Sequence, residues 1–144
     1  MNSIASQNAE STEPMSWSDA EALLAGYQKQ WNTGDIDNYM KGFSDDVVVE
    51  FADLPRIEGK AAVKDFILAR LARQKGYQLK KTLRGVVGST IICSWTAEWT
   101  DSKTNKSMKG RGIEFIQIQE KQCVYWEATF NAWPDGEPRN SLFV

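Results

Sequence analysis

The spacing of apolar residues changes once along the chain, at Gly76, and no other feature constrains the fold as much. Before it they recur at helical spacing, and after it they alternate. In the first part, Ala20, Leu23, Leu24, Tyr27 and Trp31 mark one face of a helix. Ser18 and Glu21 fit a capping box at its start, and Gly34 suits the left-handed position at its end. Asp35 can cap a second, short helix carrying Ile36, Tyr39, Met40 and Phe43. Residues 47–53, VVVEFAD, read as a strand closed by Pro55. A third helix opens at Gly59 with Val63, Phe66, Ile67 and Leu71 inward, and Gly76 stops it.

Beyond Gly76 the alternation predicts four strands, over 77–87, 90–100, 108–118 and 123–133. The connections carry Gly88-Ser89, the polar run 101–106 and the turn around Glu120-Lys121, as consecutive antiparallel hairpins require. Segregated helices and strands give an α+β domain, a curved antiparallel sheet with three helices on one face. The domain is expected over 17–133, preceded by a flexible polar lead-in over 1–16 and followed by a tail over 134–144.

Composition prunes the chemistry. The chain has no histidine, so imidazole bases and Ser-His or Cys-His nucleophiles are out of reach. Cys93 and Cys123 lack zinc-site spacing, and no metal or other cofactor is expected. Acid-base work would fall to carboxylates, Tyr or Lys. No apolar run approaches the ~20 residues of a membrane helix, and residues 1–16 lack the pattern of a secretory signal, so a cytoplasmic protein without membrane association is expected. Charge is uneven: residues 1–58 net −8, and 59–84 net +7. The basic block reads either as a phosphate-binding surface or as a solvated helix face balanced by the acidic segment. The second is preferred, with no nucleic-acid partner, because no nucleic-acid motif accompanies the charge.

Trp31-Asn-Thr-Gly-Asp35, Asp45-Asp46-Val47, Gly59-Lys-Ala-Ala-Val63 and the aromatic-rich last hairpin together resemble the nuclear transport factor 2-like superfamily, and within it the SnoaL-like small proteins. The resemblance spans residues 17 to 133. It implies a cone-shaped α+β barrel whose concave side and three helices enclose an apolar pocket, with a convex side that commonly forms a dimer. Such relatives include isomerases, dehydratases, epoxide hydrolases and polyketide cyclases, beside members that only bind or scaffold. The epoxide hydrolases carry a strand acid after a Trp, and at the matching position this chain has Ala128.

Strand parity assigns the faces. Ile91, Cys93, Trp95, Ala97 and Trp99 share the inner face of one strand, and Val124, Trp126, Ala128 and Phe130 that of the last. The expected pocket lining is Trp31, Phe43, Phe51, Phe66, Trp95, Trp99, Phe115, Trp126 and Phe130, an aromatic cup suited to a flat apolar ligand, with Lys81 in phase. A two-residue turn at Glu120-Lys121 would place Phe115 opposite Trp126, and Glu114 opposite Glu127 on the convex face. Those two carboxylates either share a proton or, as preferred, meet Arg84, Lys80 or a partner's cation at a homodimer interface that includes Asn131. As candidate catalytic groups, Asp53 could act as base, Arg111 or Lys81 could polarise an oxygen, and Tyr39 could donate. Asp53 could equally cap a turn or pair with Arg111. A ligand-binding pocket protein and a cofactor-independent lyase, isomerase, hydrolase or cyclase both remain open.

Overall fold

The computed structural model describes residues 14–138. Helix α1 (Trp17–Thr33) is capped by Ser16, whose hydroxyl accepts from the Asp19 N–H at 3.0 Å, so the cap lies two residues before the expected Ser18. Gly34 takes the left-handed conformation that ends α1 (φ 71°), and Asp35 caps α2 (Ile36–Lys41) as expected. Strand β1 (Phe43–Phe51) and the two-residue β2 (Ile57–Glu58) precede α3 (Lys60–Arg73). The chain then enters β3 (Gln74–Val87) without a loop, Gly76 bending it with φ 66°. Strands β4 (Thr90–Asp101), β5 (Ser107–Gln119) and β6 (Gln122–Pro134) complete the order.

The six strands form one open sheet, β2-β1-β6-β5-β4-β3. Strands β3 to β6 are consecutive antiparallel hairpins, but β1 runs parallel to β6, so the sheet is mixed. An edge strand exposes unpaired backbone groups, and α1 covers those of β3. The Asn32 side chain accepts from the Leu79 N–H (2.6 Å) and donates to the Leu79 carbonyl (2.9 Å), and Gln28 accepts from the Lys81 N–H (2.8 Å). Helix, sheet edge and register are thereby locked to one another.

All three helices put their apolar residues on the inner face of the sheet. Ala20, Leu24 and Trp31 of α1, Tyr39 and Met40 of α2, and Val63 and Ile67 of α3 pack with Val47, Val49, Ile91, Cys93 and Trp126 in one core. Inner and outer faces of β4 alternate as the sequence predicts. In β5 they are reversed. Gly110, Gly112, Glu114, Ile116 and Ile118 face inward, whereas Arg111, Ile113 and Phe115 face out, Ile113 and Phe115 being 53% and 40% exposed.

Two local features cause the reversal. The hairpin starts in the expected register, Gln119 opposite Gln122 and Ile118 opposite Cys123, and then Val124 bulges, so Gln117 meets Tyr125. From there Glu114 lies opposite Ala128 and Phe115 opposite Glu127. One extra residue moves every later side chain to the other face. The inner glycines also make room for the tryptophans of β4. A Cβ on Gly110 would sit 2.9 Å from Trp99, and one on Gly112 would sit 2.7 Å from Trp95. The inner face of β5 is thus filled by indoles from the next strand.

Candidate functional site

The inner side of the cone divides into a sealed polar core and an open cavity. Glu114 is the centre of the first. Its position in β5 turns it inward, where it is 1% exposed. Its carboxylate forms an ion pair with Lys81, which the edge strand β3 projects inward from beyond β4. Cys93 Sγ donates to Glu114 Oε1 at 3.1 Å, and Trp126 Nε1 donates to Oε2 at 2.9 Å. Four strands (β3, β4, β5 and β6) therefore each contribute one partner to a network in which both charges are compensated. Burial alone would lower the Lys81 pKa, but the adjacent Glu114 carboxylate outweighs it and the net shift is upward.

Tyr39 and Tyr27 close this core from the helices. Their rings meet edge to face at 5.8 Å, and burial pushes both phenols well above their ordinary range, keeping them neutral. A cavity of only about 10 Å³ is lined by Tyr27, Tyr39, Trp126 and Glu114. That is near the lower limit for one water and far below any organic substrate. The core is a compensated brace.

The open cavity, about 630 Å³, lies toward the mouth of the cone. Phe51, Phe66, Trp99, Met108 and Phe130 form its apolar wall, and Leu54 stands at its edge. Phe51 contacts Phe66, Phe130 and Trp126 with ring centroids 5.1–5.5 Å apart, which fixes the wall in place. Arg70 of α3 completes it. Its guanidinium lies 4.4 Å over the Phe51 ring, with the rings of Trp31, Phe66 and Tyr77 within 5.9 Å. At the rim, Arg73 Nε donates to Asp101 at 2.7 Å while Thr104 caps the same carboxylate. These bonds hold the Asp101 carboxyl at about 2, below its usual 3.8.

Of the residues expected to line a pocket, Phe51, Phe66, Trp99 and Phe130 do so. Trp31, Phe43, Trp95 and Trp126 are buried in the core, and Lys81 is bound to Glu114 within it. Phe115 is on the outer face, because the bulge at Val124 reverses β5. The same reversal corrects two further placements. Glu114 is inside rather than beside Glu127, and Arg111 is exposed on the outer face opposite Asn131.

Asp53 is not in phase with Phe51. Ala52 adopts a left-handed conformation (φ 51°) that ends β1, and Asp53 is exposed in the following turn at the cavity rim. The three candidate catalytic residues therefore do not converge: Asp53 is at the mouth, Tyr39 in the sealed core and Arg111 on the opposite side of the sheet. Glu127, Arg84 and Asn131 do lie outward, Arg84 donating to Ser94 at 2.8 Å. Glu127 is paired across the parallel ladder with Glu50, and the Glu50 carboxylate takes the Tyr125 hydroxyl at 2.5 Å with Arg56 nearby.

Sequence reasoning missed Arg70, Glu114 and Asp101 as site-shaping groups. Arg70 was counted in the solvated basic block, yet it follows Phe66 by four residues and so shares its helix face. The basic block is in fact dispersed. Lys64 pairs with Asp37, Arg73 with Asp101, and Lys81 with Glu114. Among the described residues no group of three or more Cys, Asp or Glu could hold a metal ion, and no helix is long and apolar enough to cross a membrane.

Comparison with known proteins places this architecture. The family model of the SnoaL-like domain matches residues 24–136. No curated protein matches the chain. Among solved structures, a candidate isomerase from Bacillus subtilis is similar over 81% of this chain and 90% of its own, with 21% identity and TM-score 0.71. The epoxide hydrolase/cyclase-like enzyme SalBIII, which acts in pyran ring formation in salinomycin, is similar over 79% and 92%, with 17% identity and TM-score 0.70. A candidate SnoaL-like polyketide cyclase from Jannaschia sp. CCS1 is similar over 83% and 89%, with 10% identity and TM-score 0.72. These identities speak for the fold alone. Helix order, the mixed open sheet and the family match agree: the chain belongs to the SnoaL-like domain family, with the nuclear transport factor 2-like α+β fold.

Proposed function

We propose that this protein binds an apolar or aromatic small molecule in the mouth of the cone. The observation that carries this reading is the cavity of about 630 Å³ walled by Phe51, Phe66, Trp99, Met108 and Phe130, a size and surface that suit a ring compound. Binding is favoured over turnover because Asp53, Tyr39 and Arg111 stand apart. The buried carboxylate Glu114 is already committed to three partners. A thermal-shift screen of steroids, polyketide-like aromatics and terpene epoxides tests this. A ligand at 100 times its Kd adds about 2.7 kcal/mol to stability, which is roughly 5–10 °C for a domain of this size. A hit that also perturbs Trp99 is the expected result. Silence across the screen would count against the reading.

We also propose that the outer face forms a homodimer. Ile113 and Phe115 lie side by side there, both solvent-accessible, with Arg84, Arg111 and Glu127 around them. Sedimentation at micromolar concentration should give a dimer, and Phe115→Glu should give a monomer. A monomeric parent protein would rule the interface out.

A further inference from the structure

The cavity contains a cation that no carboxylate of the described residues pairs with, and from this we infer that Arg70 anchors the anionic group of an aromatic ligand. The inference deepens the proposed function and rests on it. Five charged residues line the cavity: Asp53, Arg70, Arg73, Asp101 and Lys106. Arg73 is held by Asp101 at 2.7 Å, and Lys106 by Glu137 at 2.8 Å. Asp53 is solvated in its turn. Arg70 is half-buried, and among the described residues no carboxylate lies within ion-pair distance of it.

The geometry says which chemistry would satisfy it. The guanidinium carbon lies 4.4 Å over the Phe51 ring, and contact with an aromatic face uses none of its N–H donors. The Tyr77 ring lies within 5.9 Å of it, and most of its five N–H donors remain for another acceptor. A planar carboxylate matches that fork, and the ring carrying it would lie against Phe66, Phe130 and Trp99. A half-buried cation in an apolar wall rewards an anion more than a surface lysine would, because water screens it less. The ligand class is therefore an aromatic or polycyclic acid rather than a neutral hydrocarbon.

The experiment compares 2-naphthoate with 2-naphthamide, which share ring and shape but differ in charge, by titrating the indole N–H resonances of the intact protein. The parent protein should bind the acid roughly tenfold more tightly than the amide or better. Arg70→Met should bring that ratio close to one, the acid losing more affinity than the amide. Arg70→Lys keeps the charge without the fork and should give an intermediate ratio, and it decides the matter if the methionine variant fails to fold. A parent ratio near one, or a ratio that survives both substitutions, overturns the role of Arg70 while amide binding at Trp99 leaves the cavity reading intact. If neither compound perturbs Trp99, both readings fail.

Discussion

Lys81→Met should destabilise the fold by about 3–5 kcal/mol, because it strands the Glu114 charge in the core. Both side chains are almost wholly buried, at 4% and 2% exposure, so water cannot replace the lost partner. For a domain of this size the loss is roughly 10–20 °C in Tm. Adding Glu114→Gln to Lys81→Met should recover most of it, since an uncharged amide can still meet Trp126 and Cys93. Urea unfolding of the two single variants and the double variant measures this. Additive losses, or single losses below about 1 kcal/mol, would show that the pair does not hold the core together.

The pH dependence follows from the same groups. The folded pKa of Lys81 lies above its usual 10.5, so its contribution is complete below 10.5 and fades as pH rises through the folded value. Burial likewise raises Cys123 from 9.0 to about 12, a contribution lost from about pH 9 upward. At the other end, Asp101 is depressed to about 2, so its contribution is present above 3.8 and is lost as pH falls toward 2. The domain should therefore weaken steeply between about pH 9 and 12. The acid loss from Asp101 should be confined to pH 2–4.

Gly112→Ala should cost about 3 kcal/mol, the upper end of overpacking penalties. The new Cβ would lie 2.4 Å from the Thr129 carbonyl oxygen and 2.7 Å from the Trp95 indole. A backbone atom of the adjacent strand cannot rotate away, so the β5–β6 ladder itself must part. Gly110→Ala crowds the Trp99 ring at 2.9 Å but meets the Asn131 carbonyl oxygen at an ordinary 3.5 Å, and should cost less while shifting the cavity wall. Equal costs for the two would mean that indole packing, rather than the neighbouring backbone, requires glycine at Gly112.

Most of the fold was legible because it is written locally. The 3.6-residue spacing of Ala20, Leu24, Tyr27 and Trp31 located α1, and the alternation Ile91 to Trp99 located β4 with the right face inward. The pairing of β1 with β6 was not legible as parallel, because it joins segments some eighty residues apart and leaves no local pattern. The candidate site suffered from single-residue events. The bulge at Val124 and the left-handed Ala52 each change which side the next residues face, and both occur in sequences that read as plain strand. Parity also assumed that large apolar residues mark the inside. In β5 two glycines and a glutamate stand inside beside Ile116 and Ile118, and the volume at the glycines comes from Trp95 and Trp99. The pattern Gly110-Arg-Gly112 was the available signal: glycine in a strand marks close approach of something else.

Two consequences join fold to function. The brace around Glu114 leaves the base of the cone closed and rigid, and the mouth, built from α3 and the far ends of β1, β4, β5 and β6, keeps the open volume. Any ligand should therefore report on Trp99 before Trp126. The most direct test is a titration of the labelled protein with the best hit of the ring-compound screen, following the indole N–H signals. The expected result is a saturable shift of Trp99 with Trp126, hydrogen-bonded to Glu114, unchanged. A shift of Trp126 at least as large would mean that the ligand enters the core and reaches Glu114. That result would contradict the division between brace and pocket.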